Sequence, residues 1–379
     1  MNPRVRPFPP AWAPIRSLGL IVVVVACGHS DPFSSPPLGT DQPFDPTPPV
    51  RLTLNSLADR GASWLADGSG ILYSAQQIGR ADHDVCLALL PPTGGRQLSL
   101  TCDRSPAGGD SVNAFESPTV SADGRLAFIS ASGPPMAPAP LSEAIEIAPT
   151  VDPRGAARVR TLPYTIPGEP LHNHVAGLHW LGTDKLAFLG GVIGFRGVCP
   201  GCPIDTLFAG LKVVTLDATA GSSPVAIAGT DFASSVSAGS TGDEIYYTIG
   251  GDSRVFRRTL STGAVTVAHD FGALGIARDV QVVGGAKMTA VVGGRVAFGL
   301  DPVLGPTQRD SGGVVHVVQL GTGADQALDQ AGLLFRGPAL SPDGTHVVAE
   351  GYPLFIFDNG ASADTTVGKS GDLYLLGAP

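Results

Sequence analysis

The residues best equipped for chemistry are the thiols, two closely spaced histidines and a recurring set of charged positions. Cys199 and Cys202 frame a C-P-G-C segment, and His172 and His174 precede it. Two thiols and two imidazoles make a tetrahedral zinc set if the fold brings them together. A close thiol pair also oxidises readily in an exported protein, and C-x-x-C spacing suits redox exchange. Redox exchange would need a βαβ setting that the surrounding sequence lacks, and haem attachment would need histidine where Pro203 stands. A local structural disulfide is the preferred reading, with metal binding through His172, His174, Cys199 and Cys202, or redox exchange, as alternatives. Cys86 and Cys102 lie symmetrically about Gly94, so a hairpin looping through Thr93-Gly94-Gly95 sets them opposite each other. A cross-strand disulfide there is worth about 3 kcal/mol. Arg60, Glu116 and Arg336 each stand eight residues before a turn glycine, Gly68, Gly124 and Gly344. Brought side by side, they could grip a carboxylate or chain terminus through bidentate hydrogen bonds, or brace the fold as a salt-bridge network.

No catalytic residue is assigned. The D-S-G-G segment at 310–313 is similar to the serine-nucleophile segment of trypsin-like proteases, but Arg309 stands where a glycine should precede Asp310. No Ala-Ala-His-Cys segment accompanies Ser311, and a triad is recognised by geometry and role, not by four letters. There is also no G-x-S-x-G elbow.

The elements that must position these residues follow from composition. In 379 residues there are 50 glycines and 34 prolines, with 43% apolar and only 15% charged residues. Many short strands joined by many turns are expected, in an all-β chain with a sizeable core. The formal net charge is -9, and no cluster of Lys or Arg occurs after residue 16, which excludes nucleic acid as a partner.

One turn recurs. It is clear in "ASWLADGSGILYS" (62–74), "SPTVSADGRLAFIS" (117–130) and "GPALSPDGTHVVAE" (337–350), and looser near residues 176–190, 234–250 and 287–299. The first apolar residues after each turn are Ile71, Leu126, Leu186, Ile245, Val296 and Val347, spaced by 55, 60, 59, 51 and 51 residues. Further strand-like segments follow each hairpin, so the pattern is four strands per unit, as in propeller blades. Asp-Gly supplies the side-chain acceptor and the φ > 0 residue such a turn needs, so the motif is structural. In these residues the chain resembles TolB-type six-bladed propellers with WD-like repeats, in which S-P-D-G marks the turn between the first two strands of a blade. The resemblance runs patchily from about residue 57 to 376. It implies an all-β, six-bladed β-propeller of four-stranded antiparallel blades over 50–379. "DLYLLG" (372–377) is then the third strand of the last blade, and "VRLTLNS" (50–56) supplies the fourth and closes the ring. His172 and His174 fall in an interblade loop, on the same face as the C-P-G-C loop. Arg60, Glu116 and Arg336 meet at the channel mouth.

The N-terminus is an address. Arg4, Arg6 and Arg16 precede "LGLIVVVVAC", too short an apolar stretch to span a membrane. Val24-Val25-Ala26-Cys27 resembles a bacterial lipobox, which implies removal of residues 1–26 and diacylglycerol on Cys27. The mature chain then carries 21 basic and 33 acidic residues, since the three removed charges are all Arg, giving -12. Residues 27–49 form a Pro-rich tether. Gly28 in place of Asp after Cys27 points to the outer membrane in bacteria that sort by that rule. The expected function is a non-enzymatic binding or scaffold module of the cell envelope, its partner an envelope protein, a peptide or a small anionic ligand, with no cofactor beyond the lipid. The alternative is a propeller enzyme of the metal-dependent lactonase or quinone-dependent dehydrogenase type. That likeness would imply carboxylates and Asn around a cation, where the row found here is mixed in sign.

Overall fold

The computed structural model describes residues 49–54, 58–76, 85–95, 97–101, 112–133, 142–151, 160–163, 172–196, 205–208, 211–219, 222–239, 241–250, 252–270, 286–292, 295–300, 314–320, 322–328, 330, 333–358, 363–367 and 371–377. Cys27, Cys102, Cys199, Cys202 and Ser311 lie outside these residues, as do the leader and all of the tether but Pro49. The described residues contain strands and no helix, so none of them forms a helix long and apolar enough to cross a membrane.

The strands form antiparallel four-stranded meanders. The first comprises Asp59–Trp64, Ile71–Gln76, Val85–Leu90 and Leu98–Thr101, and the second Val112–Val120, Leu126–Gly133, Ser142–Ala148 and Arg160–Pro163. A single parallel pair, Val85↔Ala114, joins these two. The third comprises His172–Leu181, Lys185–Arg196, Lys212–Asp217 and Val225–Ala226, and the fourth Ala233–Ala238, Glu244–Ile249, Arg254–Thr259 and Val265–Asp270. The fifth comprises Ala286–Val292, Arg295–Leu300, Val314–Gln319 and Asp325–Leu328. In the sixth, Leu333–Leu340, His346–Asp358 and Asp372–Gly377 are joined by Val50–Arg51 from the other end of the chain, in the register Val50↔Leu375. The leading strands of successive meanders touch in order, and that of the sixth touches that of the first. Four-stranded sheets stacked radially on their leading strands are the architecture of a β-propeller.

The second strand of the first meander, Ile71–Gln76, is buried along most of its length because both its faces are covered. Ile71, Tyr73 and Ala75 pack with Val348 and Leu373 of the sixth meander, whereas Leu72 packs with Phe115, Leu126 and Phe128 of the second. Alternate side chains thus enter alternate seams, the period of two expected of a strand. Outermost strands lack this cover, and Val225, Val265 and Val267 are exposed.

The Asp-Gly turns take the expected form. Gly68, Gly124 and Gly344 have φ of 73°, 84° and 72°, and each donates its amide to the carbonyl three residues back, Leu65, Ser121 and Ser341, at 2.9 Å. Where serine opens the turn, its hydroxyl donates to the turn aspartate, Ser121 to Asp123 and Ser341 to Asp343.

One expectation needs correction. His172 and His174 are not in a loop: they begin the long strand His172–Leu181, paired as His172↔Ile193 and His174↔Gly191. Its partner strand also runs long and carries an extra strand, Asp205–Phe208, so the pairing continues where an ordinary blade would have turned away. Of the N-terminal segment 50–56, Val50–Arg51 pairs as a strand, and residues 55 and 56 lie outside the described residues. After Arg51 the backbone pairing goes on for one more bond, Leu52 N donating to Leu373 O at 2.7 Å, and Leu373 N in turn donates to the Thr53 hydroxyl at 2.9 Å.

Candidate functional site

Arg60, Glu116 and Arg336 owe their position to a β-bulge. Arg60↔Ser74 is followed by Ser63↔Leu72, so one extra residue enters the leading strand. The same offset follows Glu116 and Arg336, and also Ala176 in the third meander. The next residue is left-handed in each case: Gly61, Ser117, Gly177 and Gly337, with φ of 62°, 50°, 60° and 54°. Such a bulge turns the preceding side chain out of the sheet's alternation. All three charged residues are consequently exposed. Adjacent bulges lie close, since a Cβ on Gly61 would sit 3.6 Å from the amide nitrogen of Ser117.

Between the two arginines lies a buried carboxylate that sequence reasoning missed. Glu350 pairs opposite Arg336. It accepts the Gly61 amide at 2.8 Å and the Tyr352 hydroxyl at 2.7 Å. Burial raises its carboxyl above the usual range, against the pull of those bonds and of Arg60 and Arg336. The Tyr352 hydroxyl is raised as well, chiefly by burial and then by Glu350, and the Arg336 guanidinium lies over its ring at 5.6 Å. A Cβ on Gly337 would meet Glu350 Oε1 at 2.8 Å, so this close approach demands glycine.

On the other side stand a second carboxylate and a histidine. Glu143 accepts the Val175 amide at 2.5 Å and lies 3.0 Å from His174 Nδ1. The bond to Glu143 raises the His174 pKa, aided by the charges of Glu143 and Glu116. Glu116 is open to solvent yet ringed by protein, and that desolvation raises its carboxyl; Glu143 adds to the effect while Arg60 and His174 oppose it.

The structure therefore brings Arg60, Glu116 and Arg336 into one electrostatic neighbourhood and adds Glu350, Tyr352, Glu143 and His174. Among the described residues no ion pair joins the three expected residues to each other, and neither Arg60 nor Arg336 has an ion-pair partner. Two guanidiniums facing solvent can receive a carboxylate. Among the described residues no group of three or more His, Cys, Asp or Glu is placed to hold a metal. Glu350 could have been noticed in sequence as a lone charge inside an apolar run, "HVVAEGY".

No protein-family model matches the chain, and no curated protein matches its sequence. Solved structures do resemble it. TolB from Acinetobacter baumannii superposes with a TM-score of 0.47 at 14% identity, over 82% of this chain and 64% of that one, so the chain spans less than two thirds of that protein. A luciferin-regenerating enzyme gives 0.50 at 11% identity, over 87% of this chain and 95% of that one. An oligogalacturonate lyase in complex with manganese gives 0.42 at 13% identity, over 85% and 78%. The likeness to the luciferin-regenerating enzyme concerns the fold alone.

Proposed function

We propose that the protein is a lipid-anchored, six-bladed propeller of the bacterial cell envelope, closed by its N-terminal strand. In this reading it works as a non-enzymatic binding module, receiving a carboxylate of an envelope protein, a peptide or a small anionic ligand between Arg60 and Arg336. The observation that carries the reading is the pair of exposed guanidiniums at equivalent bulges of neighbouring meanders, neither in an ion pair with any described residue. Both arginines act electrostatically on Glu350, and Arg60 also on Glu116, so the two cations share one neighbourhood. The cyclic contacts of the leading strands and the Val50↔Leu375 pairing support six blades and closure. Titrating the protein with a peptide that ends in a free carboxylate, and with the same peptide amidated, tests the site; equal affinities would remove it.

The anchor rests on the sequence of residues 1–27. With Cys27→Ser the protein should leave the membrane fraction, and a variant that still sediments with membranes at unchanged mass contradicts lipidation. A disulfide between Cys86 and Cys102 belongs to the same proposal. It is supported by the register Leu87↔Thr101, since Cys86 and Cys102 are the residues next to that pair in sequence. Cys199 and Cys202 are read as a second, local disulfide.

A further inference from the structure

The seam between the second and third meanders and the seam between the sixth and first share one frame, and differ at one residue. In the second–third seam, Trp180 Nε1 donates to Thr119 O at 3.2 Å. The Arg125 guanidinium lies 4.9 Å over the Trp180 ring, pairs with Asp123 at 3.0 Å, reaches Asp184 at 3.8 Å and donates to Thr183 O. In the sixth–first seam, Trp64 Nε1 donates to Ala339 O at 2.9 Å, and the Ser341 hydroxyl donates to Asp343 as Ser121 does to Asp123. Asp67 stands on the first meander's turn as Asp184 does on the third's. The residue two places after the turn aspartate, Arg125 in one seam, is the exposed Thr345 in the other.

Where the guanidinium is missing there is a cleft. Trp64, Asp67 and Asp343 line an open space of about 580 Å³ together with Pro92, Pro342 and Leu375, a size suited to a small ligand. Among the described residues neither Asp67 nor Asp343 has an ion-pair partner, unlike Asp123. Hydrogen bonds from Ser69 hold the Asp67 carboxyl below its ordinary value. Asp343 is held down at about 2, chiefly by the Ser341 hydroxyl. Both are therefore anionic at neutral pH, in a chain whose net charge of -9 already attracts cations.

We propose that this cleft binds a guanidinium on an aliphatic stem, the side chain of an arginine in a peptide, in the place that Arg125 fills in the other seam. The head lies over Trp64 between Asp343 and Asp67, where cation–π attraction and charge-assisted hydrogen bonds act together. The stem runs along Pro92, Pro342 and Leu375. An ammonium lacks the planar fork and fits less well.

The probe is N-acetyl-arginine amide, titrated at low salt while the Trp64 indole N–H signal is followed by NMR. Its citrulline counterpart has nearly the same shape without the charge and should bind at least about tenfold more weakly. Thr345→Arg alters an exposed position and supplies the missing guanidinium from the chain itself, so it should abolish binding with no loss of melting temperature. Asp343→Asn should weaken binding several-fold, whereas Arg60→Lys, at the separate mouth, should leave it unchanged. Equal binding of the arginine and citrulline compounds, undiminished binding by Thr345→Arg, or no binding by the wild type would each overturn the proposal.

Discussion

The sixth–first and second–third seams solve one problem with different means. Each joins two meanders by a tryptophan N–H to a neighbouring carbonyl and by a glutamate that accepts an amide across the seam: Trp64 and Glu350 in one, Trp180 and Glu143 in the other. The second–third seam is then completed from within, by Arg125 on Trp180 and His174 on Glu143. The sixth–first seam is where Val50–Arg51 meets Asp372–Gly377, and it leaves Asp67, Asp343, Arg60 and Arg336 facing solvent with no ion-pair partner among the described residues. Surface charge left without a partner beside a well-anchored frame marks where an outside group can bind.

The contrast can be broken most severely at the chain ends. Deleting residues 50–53 removes the strand beside Asp372–Gly377, the buried Leu52 and the Thr53 hydroxyl to which Leu373 N donates. Thermal stability should fall sharply, whereas deletion of 28–45 should leave it intact. Equal melting temperatures for the two deletions would show that the sixth–first seam holds without its N-terminal strand.

The tryptophans come next. Trp64→Phe and Trp180→Phe keep an aromatic ring but orphan the carbonyls of Ala339 and Thr119, at about 1–3 kcal/mol each. Trp180→Phe should cost more, because it also weakens the stack under Arg125, by roughly a further 0.5 kcal/mol. Denaturant titration of both variants checks the order. A larger loss at Trp64 would mean that the sixth–first seam is the more completely built.

A smaller effect separates the seams by pH. The folded-state pKa of His174 is raised above its ordinary 6.5, so its contribution is full below that value and is lost as pH rises through the raised one. His179, pushed by desolvation to about 4, and His269, also lowered, act in the opposite sense and only below 6.5. Wild-type melting temperature should therefore decline as pH rises above about 6.5, and His174→Gln should flatten that slope. An unchanged slope in the variant would detach His174 from the second–third seam's stability.

The sequence made the meanders and the Asp-Gly turns legible because they rest on period-two apolar runs and on a glycine with φ > 0, both written in residue type. The bulges were not legible. Gly61, Ser117, Gly177 and Gly337 occupy the same left-handed site with different side chains, and one extra residue hardly disturbs the apolar alternation around it. Spacing from the turn glycine nevertheless located Arg60, Glu116 and Arg336, because the bulge recurs at a constant distance from the turn. Glu350 and Glu143 escaped notice because their roles depend on amides of another meander, Gly61 and Val175, far away in sequence. His174 was misplaced because nothing in its local residues shows that the third meander's first two strands run long.

The Arg60 and Arg336 pair is tested most directly by replacing each arginine with lysine, which keeps the charge and loses the planar fork. Affinity for a peptide with a free C-terminal carboxylate should fall by about tenfold or more in Arg60→Lys and Arg336→Lys, at unchanged melting temperature. Wild-type affinity in both variants, or a loss of stability that matches the loss of binding, would make the two arginines a structural brace and not a receptor for a carboxylate.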